Sequence, residues 1–143
     1  GSRPFWPCPK NIIDTHMDGK NTSQMLFNPF SFTHISHGII MYLLLDKLNI
    51  KIDMATNIML IFEISWELLE NSSFIINEYR KDNAFRNYMG DSVINSIGDI
   101  ISAMFGFYFA YKNKLYALIY LILSEIILSH YNGSLYQSFI SII

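Results

Sequence analysis

The chain has 143 residues; 51% are hydrophobic, 15% aromatic and only 15% charged, against roughly 25% charged in an ordinary soluble domain. A formal net charge of −2 and a pI near 6.0 exclude the basic footprint that nucleic-acid binding uses. The single cysteine, Cys8, excludes an internal disulfide and a thiolate metal cage.

A mean hydropathy of +0.24 fits a small membrane bundle with polar loops and a polar interior better than a water-soluble fold. The chain opens Gly1-Ser2-Arg3, a start expected of a processed, truncated or tagged chain, and whether a helix precedes it stays open. Residues 1–31 are polar and punctuated by Pro4, Pro7, Pro9, Gly19 and Pro29, which argues against a long helix. Aromatic residues scattered through them (Phe5, Trp6, Phe27, Phe30) suit a segment at the membrane interface. We expect an extramembrane cap over 1–31 and a helical bundle over 32–143.

The first helix is expected at about 32–48, carrying His34 and His37. A polar hairpin with Asp46, Lys47, Asn49 and Lys51 leads into a second, about 53–76. A charged and aromatic loop over 77–90 holds Tyr79, Arg80, Lys81, Arg86 and Tyr88. The third helix, about 91–111, opens on Asp91 and Ser92, which suit N-terminal capping. Lys112, Asn113 and Lys114 turn the chain into a fourth, about 115–130, before Gly133 and a short amphipathic tail.

Each apolar stretch is roughly 16 to 22 residues, near the ~20 that cross a hydrocarbon core. The alternative is a soluble four-helix bundle, but Leu115 to Leu128 carries one charge, Glu125, and lacks a solvated stripe. The expected fold is therefore an all-α polytopic membrane bundle of about four transmembrane helices, in an inner membrane. Lys47, Lys51, Lys112 and Lys114 favour the two short hairpins as the cytoplasmic side, while Arg80, Lys81 and Arg86 pull the other way.

Ionisable residues inside these stretches mark a candidate site, because each is costly in lipid unless it faces a partner or a wet cavity. Positions three and four apart share a helix face. Glu63, Trp66, Glu67, Glu70 and Asn71 form one stripe, Asp91, Asn95 and Asp99 a second, and His34 and His37 lie one turn apart on the first helix.

Three uses of these stripes compete. In one, His34, His37 and Glu67, with Glu70, Asp91 and Asp99, ligate a divalent metal, since imidazole and carboxylate suit zinc, manganese or iron; no HExxH motif is present. In another, His37, Glu67, Glu70, Asp91 and Asp99 do acid/base work on a membrane lipid, with Arg80, Tyr79 and Asn95 holding a headgroup phosphate. The third is interhelical pairing without chemistry, Arg80 closing on Glu70 or Asp91. Gly90, Gly98 and Gly106 recur every eight residues and suit close helix approach.

His34-Ile-Ser-His37-Gly38, Trp66-Glu67-Leu-Leu-Glu70-Asn71, Ile75-Ile-Asn-Glu-Tyr79-Arg80 and Gly90-Asp91-Ser-Val-Ile-Asn95-Ser96, followed by Asp99, occur in that order. With Asn21-Thr-Ser-Gln24, they make residues 1 to about 130 resemble an alphaproteobacterial membrane-protein family, domain-of-unknown-function family 2585. The resemblance implies a polytopic inner-membrane protein and no assigned activity. Family members usually show Cys-Pro-Cys where this chain has Trp6-Pro7-Cys8, which puts a thiolate site there in doubt. The order of acid, arginine and Asp-x-x-x-Asn is also similar to VanZ-like membrane proteins at the level of fold.

The abundance of Ile, Asn, Lys and Tyr suggests an AT-rich genome, so a mitochondrial inner membrane stands beside a bacterial cytoplasmic membrane. The leading expectation is a membrane protein binding a lipid headgroup or metal, or a lipid-directed hydrolase or transferase. The alternative is a non-catalytic accessory subunit of a larger, for example respiratory, complex.

Overall fold

The computed structural model describes residues 13, 15, 23–81, 88–130 and 136. Most of the expected cap, the Trp6-Pro7-Cys8 motif, Asn21, Arg86, Gly133 and the C-terminal tail lie outside them. The described residues are helical throughout their regular structure. In chain order come α1 (Ser31–Lys47), α2 (Ile52–Glu70), α3 (Ser73–Tyr79), α4 (Val93–Lys112) and α5 (Lys114–Ser129). An isolated parallel bridge joins Ile13 to Phe27.

Local chemistry sets the ends. Asn28 Oδ1 accepts from the backbone N–H groups of Phe30 (2.7 Å) and Ser31 (3.2 Å) and starts α1. Asn49 ends it in the left-handed region, φ 57°, with Ile50 N–H reaching back to the Leu45 carbonyl, a Schellman-type stop that asparagine tolerates. Ser92 caps α4 by accepting from Asn95 N–H (3.2 Å), and Asn113 caps α5 by accepting from Tyr116 N–H (3.2 Å).

The single helix expected over 53–76 is two. Asn71 donates to the Glu67 carbonyl (2.9 Å) and to Asp91, and Ser72 turns extended to cap α3. Short polar side chains that bond nearby backbone offer the chain an alternative to continuing the helix. Apolar periodicity runs through this break and hides it.

α1 and α4 run parallel and in close contact, while α2 and α5 run antiparallel to them. A Cβ on Gly38 would lie 1.9 Å from the Ala103 carbonyl oxygen, and one on Gly106 2.0 Å from that of Ile35. Around this seam Ile39, Tyr42, Leu45, Ala103, Phe107 and Ala110 form the buried apolar core. Gly98 makes a different approach: its Cβ would meet the Leu26 carbonyl at 1.8 Å, so it seats the segment before α1 on α4. A Lys114 Nζ to Asp46 Oδ2 contact of 2.6 Å places both short hairpins at one end of the bundle. The polar stripes gather toward the other end.

Among the described residues one helix, α4, is long and apolar enough to cross a membrane. α2 has the length but carries Asp53, Glu63, Glu67 and Glu70, and α1 and α5 have 17 and 16 residues.

Candidate functional site

The three stripes meet between α1, α2 and α4. His34 is buried, with Nδ1 donating to Glu63 Oε1 (2.5 Å), the role a carboxylate partner requires. The same nitrogen lies 3.7 Å from Glu67 Oε1, and His34 Nε2 lies 3.8 Å from Asp99 Oδ2. His37 Nδ1 is 3.7 Å from Glu63 Oε1. Its ring meets His34 edge-on at 5.0 Å and Trp66 at 6.0 Å, so Trp66 walls the cluster.

Two sets of ligand atoms converge, each within 4.8 Å of one another: His34, His37 and Glu63, and His34, Glu67 and Glu70. Glu67 is 3% exposed, and neither carboxylate oxygen has a hydrogen-bond partner. His37 Nδ1 is likewise buried and unbonded. Unsatisfied buried polar atoms are rare and costly, about 1–3 kcal/mol each and more when charged. Every described lysine and arginine is exposed. Glu63, Glu67, Glu70 and Asp99 therefore gather around two imidazoles with no lysine or arginine of the described residues buried among them.

Asp99 is buried and accepts from Ser31 Oγ (3.2 Å). Asp91, just ahead of α4, belongs to a second network. Its Oδ2 accepts from Asn71 Nδ2 (2.9 Å), its Oδ1 from the Tyr88 hydroxyl (3.0 Å), and its backbone N–H donates to Asn71 Oδ1 (2.6 Å). Burial raises the Asp91 carboxyl above its ordinary value, against hydrogen bonds from Asn71, Tyr88 and Ser23 that lower it. Burial and the nearby acids push the Tyr88 and Tyr79 hydroxyls up in the same way, and Tyr79 hydrogen-bonds Glu70. Asn95 is fully buried and donates to the Met25 carbonyl (2.6 Å), tying the N-terminal segment to α4.

Arg80 stands apart. It is exposed, and donates from Nε to the Tyr88 carbonyl (2.6 Å) and from its terminal nitrogen to Met89 Sδ (3.4 Å). Among the described residues it pairs with neither Glu70 nor Asp91, the partners expected of it. The sequence reading offered it for a headgroup phosphate or for pairing with those acids; at the end of α3 it is exposed and bonds Tyr88 and Met89 instead. Sequence reasoning placed Glu63 in the stripe without assigning it a role, yet it is the nearest partner of His34. Ser31 and Tyr88 also escaped; a serine at a helix start and a lone tyrosine carry no periodic signal.

Residues 1–133 match the family described as "Protein of unknown function (DUF2585)". The chain belongs to that family. Among curated proteins it is similar to UPF0314 proteins of alphaproteobacteria. One from Brucella anthropi is 36% identical over 96 residues, 63% of this chain and 47% of the relative. One from Rhizobium johnstonii is 38% identical over 108 residues, 72% and 55%, and one from Sphingopyxis alaskensis is 33% identical over 112 residues, 75% and 58%. The chain thus spans about half the length of the curated relatives it matches. No solved structure matches it.

Proposed function

We propose that the chain is a multi-pass inner-membrane protein whose helical core holds a divalent metal ion on His34, Glu67 and Glu70, with His37 and Glu63 beside them, serving a hydrolase or transferase that acts on a membrane lipid. The observation that carries the metal is Glu67: a carboxylate buried with both oxygens unbonded, beside an unbonded His37 nitrogen and the His34–Glu63 pair. A divalent cation there would take up a Glu67 oxygen and offset the surplus of acid. Mixed imidazole and carboxylate donors suit zinc, and manganese or iron after it. Held there, such an ion would supply Lewis-acid polarisation of an ester or phosphoryl oxygen and a more acidic bound water. Asp99, 3.8 Å from His34 and bonded by Ser31, would orient an imidazole or take a proton.

The membrane assignment is supported by large apolar side chains exposed on the outside of the bundle while several acids are buried. Ile61 and Leu68 on α2, Phe105 on α4, and Leu115, Ile122 and Ile126 on α5 are each more than half exposed, while His34, Glu63, Glu67 and Asp99 are buried. At 1.5 Å per residue, α1, α2, α4 and α5 measure roughly 24 to 30 Å, against a hydrocarbon core of about 30 Å. All four are proposed as spans, with the two short hairpins cytoplasmic and the polar core in the opposite half.

The test is elemental analysis of detergent-purified protein loaded with zinc or manganese and then desalted. Near-stoichiometric metal is expected, with His34→Ala and Glu67→Gln retaining fold and losing the ion. Folded wild-type protein with only background metal would end this assignment. Purification in a stoichiometric complex, with the same variants impairing assembly and not metal content, would favour the accessory-subunit alternative.

A further inference from the structure

Phe32 stands as a half-exposed ridge on α1 with an apolar groove on either side of it. The first, about 670 Å³, lies between α1 and α4, walled by Phe27, Ile35, Ile101 and Phe105. The second, about 470 Å³, lies between α1 and α5, walled by Tyr120, Leu123, Ile127 and Leu128. Thr15, Pro29 and Phe32 line both, so the grooves converge at the start of α1. Polar groups cluster at that point. Asn28 and Ser31 face the first groove, and Ser31 Oγ donates to Asp99 (3.2 Å). One serine thus separates the groove from the buried acid and imidazole cluster.

We infer that a two-chain glycerolipid straddles Phe32, one acyl chain in each groove, with its ester region at Pro29 to Ser31 beside Asp99. This rests on the membrane assignment and names the substrate class of the same site. Two apolar grooves that share Phe32 as a wall and converge at Thr15 and Pro29 match two flexible chains joined at one end. A partner helix, about 10 Å across, would ride on Phe32 and leave both channels empty. The walls also offer few groups to satisfy a peptide backbone, whereas an acyl chain needs none. The asymmetry fits too: the larger groove is the one in contact with the polar core, where the reacting end of the lipid would lie.

Micelles of dodecyl maltoside containing a phosphatidylcholine with a diazirine midway along each acyl chain provide the probe. After illumination, labels are mapped by mass spectrometry. Labelling is expected to concentrate several-fold at Ile35, Ile101 and Phe105 and at Leu123 and Ile127, over the more exposed Ile61 and Leu68 of α2. Excess dioleoylphosphatidylcholine should remove that concentration, and a single-chain lysophosphatidylcholine should remove it less well. Ile101→Trp, which narrows the first groove from an exposed position, should reduce labelling in both grooves together; if that variant does not fold, the wild-type map still decides. Uniform labelling over all faces, labelling of one groove alone, or equal competition by the single-chain lipid would overturn the inference. Metal content measured on the same sample separates the two claims. Saturable lipid without metal removes the metal assignment only, and metal with uniform labelling removes the lipid only.

Discussion

Glu67 and Asp91 are both buried acids, and they differ in how their oxygens are used. Asp91 is satisfied by Asn71 and Tyr88, so its position reads as a clamp joining the end of α2 to the start of α4. Asn71→Leu removes bonds in both directions and leaves Asp91 buried with one partner fewer. A loss of about 1–3 kcal/mol follows from leaving such a group unsatisfied, seen as a lower midpoint in thermal unfolding of the detergent-solubilised protein. The Asp91 carboxyl also has a pH signature. Because burial raises it above its ordinary value near 3.8, the folded chain holds that proton to higher pH than the unfolded chain. Its contribution to stability is full below the ordinary value and is lost as pH rises through the folded value. Asp91→Asn should flatten that arm of the stability–pH curve; an unchanged slope would show that Asp91 carries none of it. Glu67→Gln probes the other situation. It removes one charge from a crowd of acids, so it should leave stability unchanged or raised in metal-free protein while reducing metal retention.

At the scale of elements, the parallel α1–α4 pair is the frame on which His34 and Asp99 are brought together. Its closeness depends on Gly38 and Gly106, where an added methyl group would meet backbone carbonyl oxygens at 1.9 and 2.0 Å. Backbone cannot step aside as a side chain tip can, so Gly38→Ala should destabilise by at least the 1–3 kcal/mol typical of overpacking and spread the polar core. Ile97→Ala, on the half-exposed outer face of α4, serves as the control and should change the melting midpoint little. Equal midpoints for the two variants would refute the close approach. The eight-residue glycine repeat was legible in the sequence as a sign of close packing. Its partners were not, since Gly106 meets α1, Gly98 meets the segment before α1, and Gly90 adopts φ 88° in the turn leading to α4.

For the molecule as a whole, large apolar side chains are exposed on all four long helices while several acids are buried, and the proposed topology follows from the ends of the helices. Both short hairpins lie at the end marked by the Lys114–Asp46 pair, with Lys47, Lys51 and Lys112 near them. In a Cys8→Ser background, a cysteine placed at Asn49 should react with an impermeant maleimide only from the cytoplasmic side. One placed at Asn77 in α3 should react only from the opposite side. Matching accessibility at the two positions in intact cells would rule out this arrangement, as would extraction of the protein from membranes by alkaline carbonate.

Sequence alone determined the helical class, the apolar segments, capping chemistry at Asp91 and Ser92, and the fact that acids and imidazoles share helix faces. These follow from spacing and side-chain chemistry within a single segment, which need no knowledge of the neighbours. Only the tertiary structure decided which stripe faces which. It paired His34 with Glu63, gave Asp91 to Asn71 and Tyr88, and turned Arg80 outward. Those outcomes depend on the relative rotation of α1, α2 and α4 and on the turn after α3. Rotation is set by where small residues let backbones touch, and the turn by Asn71 and Ser72 bonding their own surroundings, neither of which leaves a periodic mark in the chain.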